Sequence, residues 1–242
     1  MQTNRKAKVA RVAHLQQYPH PAVTPLAKAA SGAPSTRFRK RAGAGNSVRS
    51  ANIERKTRET EISVALKLDG AGRAEIETGV PFLDHMLDSF ARHGFFDLKV
   101  KARGDLHIDD HHTVEDVGIA LGRAFRAALG DRSGIGRFGD AAVPLDEAVC
   151  TAIVDLGGRS YLGYNLPIAQ ERVGNFQTAL VHDFMKALSD EAGMNLHLIS
   201  SGGRNPHHII EAAFKALARA MDQAAAIEPR QTGVPSTKGT LT

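Results

Sequence analysis

Polar and apolar residues alternate along the segment that follows Ile53, and an alternation with a period of two is typical of half-buried strands. Residues 55–70 predict one strand, and residues 71–79 predict its return in a hairpin. Residues 95–102 and 104–110 predict two further strands joined by a turn. The first half of this regular region is therefore expected to contain four strands.

Apolar residues spaced three to four positions apart predict one helix between these strands and another after them. The first helix is expected to begin at Pro81, with Leu83 and Leu87 on its apolar face. The second is expected to begin near His111 and to end by Gly130. Pairs of strands thus alternate with single helices.

The second half of the chain repeats the same order of elements. Asn205 and Pro206 are typical of the N-cap and the first residue of its last helix. The repeated order predicts a duplicated α+β fold with two four-stranded, mainly antiparallel sheets, each backed by two helices. Strands are predicted at residues 147–158, 160–167 and 194–203, and helices at residues 176–193 and from Pro206 onward.

Charge separates an N-terminal tail from the folded part of the chain. Residues 1–53 contain ten lysines and arginines and no acidic residue, while the whole chain has 31 basic and 26 acidic residues. The rest therefore has 21 basic and 26 acidic residues, and an acidic folded part argues against a nucleic-acid partner. The predicted divisions are a tail at residues 1–52, repeats at residues 53–139 and 140–227, and a substrate-binding tail at residues 228–242.

The N-terminal tail leaves two cellular locations open. Its arginine-rich, acid-free composition is typical of a disordered extension and equally of a transit peptide for a plastid or another organelle. No apolar run approaches the roughly 20 residues that span a bilayer, so no membrane partner is expected. The single Cys150 excludes an intramolecular disulfide. We expect a cytoplasmic protein, with an organelle as the alternative if residues 1–50 are a transit peptide.

Two copies of one histidine and glutamate pattern lie about 96 residues apart. Each copy is an HHxxE motif on a predicted helix, with one further histidine 25 or 26 residues upstream. Two copies in register are hard to explain by packing and indicate two halves of a metal site. The pattern consists of His85, His111, His112 and Glu115 in the first copy, and His182, His207, His208 and Glu211 in the second.

Helical geometry divides these ligands between two ions. Residues i and i+4 of a helix lie about 40° apart around its axis, whereas neighbours lie about 100° apart. His111 and Glu115 can therefore bind one ion while His112 points towards another, and the second copy repeats this geometry. An equal division gives two sites of three histidines and one glutamate, but it does not assign His85 and His182.

The ligand types restrict the metal. Imidazole and carboxylate groups without thiolates exclude a site of the zinc-finger type. Four protein ligands leave two positions of an octahedral ion open for substrate, which favours Mn²⁺, with Fe²⁺, Co²⁺ or Zn²⁺ as alternatives. We expect two Mn²⁺ ions per active site.

A second group of polar residues suits a phosphate. Arg137 lies in a glycine-rich loop, Arg159 ends a predicted strand, and Ser236 and Lys238 lie near the C-terminus. Arginine, lysine and serine side chains in such segments are typical phosphate ligands. The predicted substrate is therefore a small phosphorylated molecule.

The motifs PFLDHML, DDHHTVEDVGIALG, NPHHIIEAAFKALARA and VPSTKGTL resemble the imidazoleglycerol-phosphate dehydratase family of histidine biosynthesis, and the resemblance covers residues 52–242. It implies a hydro-lyase that converts D-erythro-imidazole glycerol phosphate to imidazole acetol phosphate and water. It also implies a duplicated fold similar to ribosomal protein S5 domain 2, and manganese binding. The expected assembly is a 24-mer built from trimers, with active sites between subunits.

The resemblance also implies roles for individual residues. One Mn²⁺ would be bound by His111, Glu115, His182 and His207, and the other by His85, His112, His208 and Glu211. The substrate phosphate would be bound by Arg137, Arg159, Ser236, Thr237 and Lys238. Glu59, His93 and Lys215 would line the substrate site. Ser89 stands where many relatives have Gln, which would alter one substrate contact.

The chemistry of dehydration suggests a mechanism for such a site. An unactivated C–H proton and a hydroxyl must leave, and nearby cations favour loss of the imidazole N–H. The imidazolate can then expel the hydroxyl to give a diazafulvene-like species, which loses a carbon-bound proton to form the enol. Glu59 is the predicted proton-transfer group, with Glu211 or a metal-bound water as alternatives. Lys215 is a further candidate for a catalytic role.

Other classes of function remain open at this point. A dinuclear hydrolase of phosphate esters would be expected to have a carboxylate that bridges two close metals, whereas these ligands are mostly histidines. A metal-dependent structural assembly, or a nucleic-acid binder with a basic tail, would be non-enzymatic. The acidic folded part and the open coordination positions argue against both.

Overall fold

The computed structural model describes residues 48–241, so the predictions for residues 1–47 lie outside the described range. Within that range the chain forms two successive groups of elements. The first contains β1 (Ser50–Lys56), β2 (Thr60–Lys67), β3 (Ala74–Glu77), α1 (Pro81–His93), β4 (Asp97–Gly104) and α2 (His111–Leu129). The second contains β5 (Phe138–Leu145), β6 (Ala148–Asp155), β7 (Tyr161–Asn165), β8 (Arg172–Val173), β9 (Phe176–Gln177), α3 (Leu180–Ala192), β10 (Asn195–Gly202) and α4 (Pro206–Ala225).

Each group forms a four-stranded sheet, and the two sheets have the same topology. Their strand orders are β1-β2-β4-β3 and β5-β6-β10-β7. The first three strands of each order are antiparallel, and the last strand is parallel to its neighbour. β8 and β9 form a separate antiparallel ribbon. These sheets confirm the predicted duplicated α+β fold with mainly antiparallel strands.

In each sheet, alternate side chains of a strand point towards the helices and are buried. Ile62, Val64 and Leu66 of β2 point to the core, and each is at most 2% exposed. Cys150 and Val154 of β6 are equally buried, as predicted for a half-buried strand. Both sheets thus use the period of two that was evident in the sequence.

Two segments that were predicted as single strands contain turns in the structure. In each turn a side chain accepts hydrogen bonds from backbone N–H groups. Residues 55–70 hold two strands, since the Thr57 hydroxyl accepts from the backbone N–H groups of Glu59 and Thr60. Residues 105–110, predicted as part of a strand, instead form a turn after β4, in which Asp109 accepts from the N–H of His111. Side-chain acceptors of this kind compete with strand pairing.

Further differences concern pairing and boundaries. β3 is parallel to β4, whereas residues 71–79 were predicted to return beside the preceding strand. β5 was not predicted, because residues 138–140 were assigned to a glycine-rich loop and residues 141–146 were left unassigned. β1 begins at Ser50, which lies within the predicted tail. These features depend on pairing between strands that are distant in sequence, and the local alternation of polar and apolar residues does not predict such pairing.

Three helices follow the predictions closely, whereas α3 begins at Leu180 and not at residue 176, because residues 176–177 form β9. α1 begins at Pro81, α2 runs from His111 to Leu129, and Asn205 caps α4 by accepting from the N–H of His207 at 3.0 Å. None of the helices within residues 48–241 has the length and apolar character needed to cross a membrane.

Two glycines allow α2 to approach α3 closely. A Cβ atom on Gly118 would lie 2.8 Å from the Phe184 carbonyl oxygen, and one on Gly122 would lie 2.8 Å from that of Leu188. No side chain fits into these spaces without a shift of the backbone. The contact brings the N-terminal turns of the two helices together, and both turns carry predicted metal ligands.

We predict that Gly118→Ala lowers the free energy of unfolding by about 1–3 kcal/mol, because the added methyl group must push α3 away. Gly202→Ala is the matched control, since a Cβ atom there would have nothing within 4 Å. Denaturant unfolding of both variants measures the difference. An equal effect of the two substitutions would contradict the steric explanation.

Candidate metal centre and active site

The first ligand cluster joins α1 to α4. Glu211 Oε2 lies 3.3 Å from His85 Nε2 and 3.0 Å from His207 Nε2. One ligand atom from each of the three residues lies within 4.8 Å of the others. The ring of Phe82 packs edge-on against His207 at 5.3 Å and limits how that ring can turn. Such a group of imidazoles and a carboxylate can hold a divalent cation.

Glu211 is held in its ionised form. Burial favours the neutral acid, but Lys215 and His207 more than offset this, so the pKa of Glu211 is lowered. Lys215 Nζ lies 2.6 Å from Glu211 Oε1, while Oε2 faces the two histidines. One oxygen of the Glu211 carboxylate therefore contacts the Lys215 ammonium, and the other faces the candidate metal position.

The second ligand cluster joins α2 to α3 and is more open. His111 Nε2 lies 3.8 Å from Glu115 Oε2, and His111 Nδ1 lies 3.5 Å from Asp183 Oδ2. His182 Nδ1 lies 3.4 Å from the other oxygen of Asp183. Asp183 thus stands between the histidines of two helices. It was not among the predicted site residues, although its position directly after His182 is evident in the sequence.

Each cluster combines ligands from both repeats. His85 of the first repeat lies with the HHxxE helix of the second, and His182 of the second lies with the HHxxE helix of the first. His207 and Glu211 are in contact in this chain, although the resemblance assigns them to different ions. The division of ligands between two ions stays a prediction.

The second histidine of each HHxxE motif faces a carboxylate. His112 Nδ1 lies 3.0 Å from Asp105 Oδ2, and His208 Nδ1 lies 2.7 Å from Glu147 Oε2. These carboxylates raise the pKa of His112 and of His208. The N–H of Asn205 and the ring of His208 lower the pKa of Glu147 to about 2. Neither Asp105 nor Glu147 was predicted from the sequence.

Glu59 lies in the β1–β2 turn, and its side chain is exposed. The turn is fixed to α2 by Asp116, which accepts from the Thr60 hydroxyl and from Arg55 at 2.7 Å. Asp116 is only 6% exposed, so these charge-assisted bonds are shielded from water. Asp105 is the main cause of the raised pKa of His112, and the nearby charge of Glu59 adds to it.

His93 ends α1 on the side that faces α4. Burial lowers the pKa of its ring, and the charges of Lys215 and Arg219 lower it further. The structure therefore brings His93 near Lys215, as a shared substrate site would require. Ser89 of the same helix is buried, and its hydroxyl has no partner within residues 48–241.

The predicted phosphate ligands line one cavity of about 190 Å³. The residues around this cavity are Arg137, Gly157, Arg159, Ser236, Thr237, Lys238, Thr240 and Leu241. None of the eight predicted metal ligands is among them. The phosphate pocket and the metal clusters are thus separate parts of the described chain.

Arg137 holds the C-terminal segment at the phosphate pocket. Its Nε and Nη2 atoms donate to the two oxygens of Asp155 at 2.7 and 3.0 Å, and Nη1 donates to the Pro235 carbonyl at 2.9 Å. Asp155 therefore raises the pKa of Arg137. The predicted contact of Arg137 with phosphate stays a prediction.

Comparison with known proteins identifies the family. Residues 78–221 match the family described as Imidazoleglycerol-phosphate dehydratase. The chain belongs to this family. The assignment confirms the predicted resemblance and supports the coarser class of function, a dehydratase of histidine biosynthesis.

Relatives in this family match nearly all of the chain beyond the tail. The imidazoleglycerol-phosphate dehydratase of Geobacillus kaustophilus (strain HTA426) is 55% identical over 193 residues, which are 80% of this chain and 99% of that protein. The crystal structure of the Staphylococcus aureus enzyme has a TM-score of 0.68 and 35% identity, covering 74% of this chain and 99% of its own. The Pyrococcus furiosus enzyme, solved with (S)-C348, has a TM-score of 0.69, 35% identity, and coverage of 78% and 100%.

We predict that Arg137→Ala loosens the C-terminal segment, because the Pro235 carbonyl loses its charged donor. Hydrogen–deuterium exchange should become faster in residues 232–241. Arg230→Ala is the control, since that side chain is 89% exposed and pairs with Glu228, two residues earlier. Unchanged exchange in Arg137→Ala would show that other contacts hold the segment.

Proposed function

We propose that the protein converts D-erythro-imidazole glycerol phosphate to imidazole acetol phosphate and water, with two Mn²⁺ ions per active site. The observation that carries this proposal is the group of His85, His207 and Glu211, whose ligand atoms lie within 4.8 Å of one another. Ligands from both repeats meet there, which packing alone does not require. Family membership supports the substrate and the product.

The residues present fit a divalent ion with nitrogen and oxygen ligands. Glu211 is ionised, and the clusters offer imidazole nitrogens without any thiolate. The proposed ligands are His85, His111, His112, Glu115, His182, His207, His208 and Glu211. When bound, the ions would supply positive charge that favours loss of the substrate's imidazole N–H.

Glu59 is the proposed group that moves the carbon-bound proton. Its turn is fixed to α2 through Asp116, yet its side chain is exposed and free to meet a substrate. Glu211 is the less suitable base, because its oxygens already face two histidines and Lys215. Loss of the proton and of the neighbouring hydroxyl yields water and an enol, which becomes the ketone.

His93 and Lys215 are proposed to orient the substrate beside Glu211. Burial and two nearby cations favour the neutral form of His93, which can donate or accept a hydrogen bond. Lys215 presents a fixed positive charge that is only 17% exposed. Lys215 therefore stays a candidate for a catalytic role.

The substrate phosphate is proposed to bind in the pocket of Arg159, Ser236, Thr237 and Lys238, with Arg137 at its base. The segment 236–241 folds over this cavity, so its hydroxyl and ammonium groups can close around an anion. The separation of this pocket from the metal clusters supports an active site that combines different subunits. A 24-mer built from trimers is the proposed assembly.

The remaining proposals concern partners and location. The acidic composition of the folded part supports a small-molecule substrate and argues against nucleic acid. We propose a cytoplasmic enzyme without a membrane partner. A plastid or another organelle is the alternative if residues 1–50 are a transit peptide.

The product of the reaction tests the proposed function. We predict that the manganese-loaded protein converts imidazole glycerol phosphate to the ketone and releases no inorganic phosphate. Removing the metal with a chelator should abolish turnover, and adding Mn²⁺ should restore it. Release of phosphate would instead identify a phosphate-ester hydrolase, and full activity without metal would exclude the proposed role of the ions.

We predict that Glu59→Gln lowers turnover by about 10²–10⁴-fold, the range expected for loss of a proton-transfer group. Its manganese content should equal that of the unchanged protein, because Glu59 is not among the ligands. Glu61→Gln is the matched control, since Glu61 is exposed and pairs with Lys56 on the same hairpin. Substantial residual activity in Glu59→Gln would assign the proton transfer to another group.

A further inference from the structure

Asp105 and Glu147 make the same contact in the two repeats. Asp105 Oδ2 lies 3.0 Å from His112 Nδ1, and Glu147 Oε2 lies 2.7 Å from His208 Nδ1. In each case the carboxylate faces Nδ1 of the second histidine in an HHxxE motif. Nδ1 can then serve as the N–H donor, which leaves the lone pair of Nε2 available.

The two carboxylates come from different positions of the duplicated fold. Glu147 directly precedes β6, at the turn of the β5–β6 hairpin, and its counterpart in the first repeat is Glu59, directly before β2. Asp105 directly follows Gly104, and Gly203 matches Gly104, since the first faces Thr60 and Thr113 and the second faces Ala148 and Ile209, so the counterpart of Asp105 in the second repeat is Arg204. The contact is therefore the same although the residues that make it are not equivalent.

The second repeat has no carboxylate at the position of Asp105. Arg204 stands there, and its backbone N–H donates to Glu147 Oε1 at 3.0 Å. In the second repeat the hairpin carboxylate, Glu147, contacts the histidine instead.

The first repeat has the opposite arrangement. Asp105 contacts His112 there, and the side chain of Glu59 has no hydrogen-bond partner within residues 48–241. The hairpin carboxylate thus contacts a histidine in the second repeat and has no side-chain hydrogen bond in the described part of the first. A carboxylate without such a partner is available for proton transfer.

We propose that Asp105 and Glu147 are positioning residues for metal binding, which fix the rings of His112 and His208 so that each Nε2 faces an ion. The proposal rests on the proposed function, because it assumes that both histidines are ligands. The use of Asp105 in the first repeat leaves Glu59 free for the substrate. Carboxylates that hold a metal-binding histidine in this way raise the basicity of the ligand and set its orientation.

Manganese affinity is the direct test, with titration of the metal-free protein by Mn²⁺ as the readout. Asp105→Asn and Glu147→Gln should each weaken binding by about 10–100-fold, the usual effect of losing such a partner. Asp105→Ala and Glu147→Ala should weaken it further, because the amide oxygen of the conservative variants can still accept from Nδ1. Equal affinity in all of these variants and in the unchanged protein would overturn the proposal.

Asp146→Asn is the matched control for Glu147. Asp146 lies in the same turn, 3.9 Å from the other ring nitrogen of His208, and its side chain is 76% exposed. Loss of its charge should leave manganese affinity nearly unchanged. A loss equal to that of Glu147→Gln would mean that general negative charge matters rather than the contact at Nδ1, and would overturn the proposal.

Glu147 also accepts from the backbone N–H groups of Arg204 and Asn205 at 3.0 and 2.8 Å, so a structural role must be separated from positioning. Glu147→Gln should therefore be combined with His208→Ala in a double-mutant cycle of manganese affinity. If Glu147 acts through His208, Glu147→Gln has little further effect in the His208→Ala protein. An equal loss in both backgrounds, with a lower melting temperature of the metal-free protein, would overturn the proposal.

Failure of this inference is distinguishable from failure of the proposed function. If the unchanged protein binds two Mn²⁺ ions and produces the ketone, while the variants at Asp105 and Glu147 bind as tightly, the positioning role alone is wrong. If the unchanged protein neither binds manganese nor dehydrates the substrate, the proposed function is wrong, and the positioning role fails with it.

Discussion

The packing of each repeat's HHxxE helix against the other repeat's histidine helix is the constraint on which the site depends. α2 approaches α3 closely because Gly118 and Gly122 leave no side chain between the helix backbones. The helices are parallel, so their N-terminal turns meet and bring His111 beside Asp183. α1 and α4 do the same at His85 and Glu211. Each cluster of predicted ligands therefore contains residues of both repeats.

The position of the two HHxxE motifs bears on the proposed binding of metal ions. The N-terminus of a helix carries partial positive charge, which disfavours a cation. Both motifs stand at such an end, where a divalent ion would be repelled. Asp105, Asp183 and Glu147 lie beside the histidines, and their negative charge would offset this repulsion. Lys215 pairs with Glu211 and would reduce the net negative charge there.

Local patterns were sufficient to predict features that depend on neighbours in sequence. The period of β2, the Pro81 start of α1 and the Asn205 cap of α4 are set within a few residues, and all three were confirmed. The parallel pairing of β3 and the contact of Glu147 with His208 depend on residues far apart in the chain. The residue types at these positions are common at turns and at sheet edges, so the sequence alone does not predict the pairing of β3 or the contact of Glu147.

Comparison of the two repeats shows which contacts belong to the fold and which to the function. Arg49 directly precedes β1, as Arg137 precedes β5, and each pairs through Nε and Nη2 with both oxygens of an aspartate, Asp69 or Asp155. Each also donates from Nη1 to a distant carbonyl. The arginine–aspartate pair is therefore a structural element common to both repeats. Within residues 48–241, the segment after α4 covers Arg137 and not Arg49, so a candidate anion pocket forms beside the arginine of the second repeat.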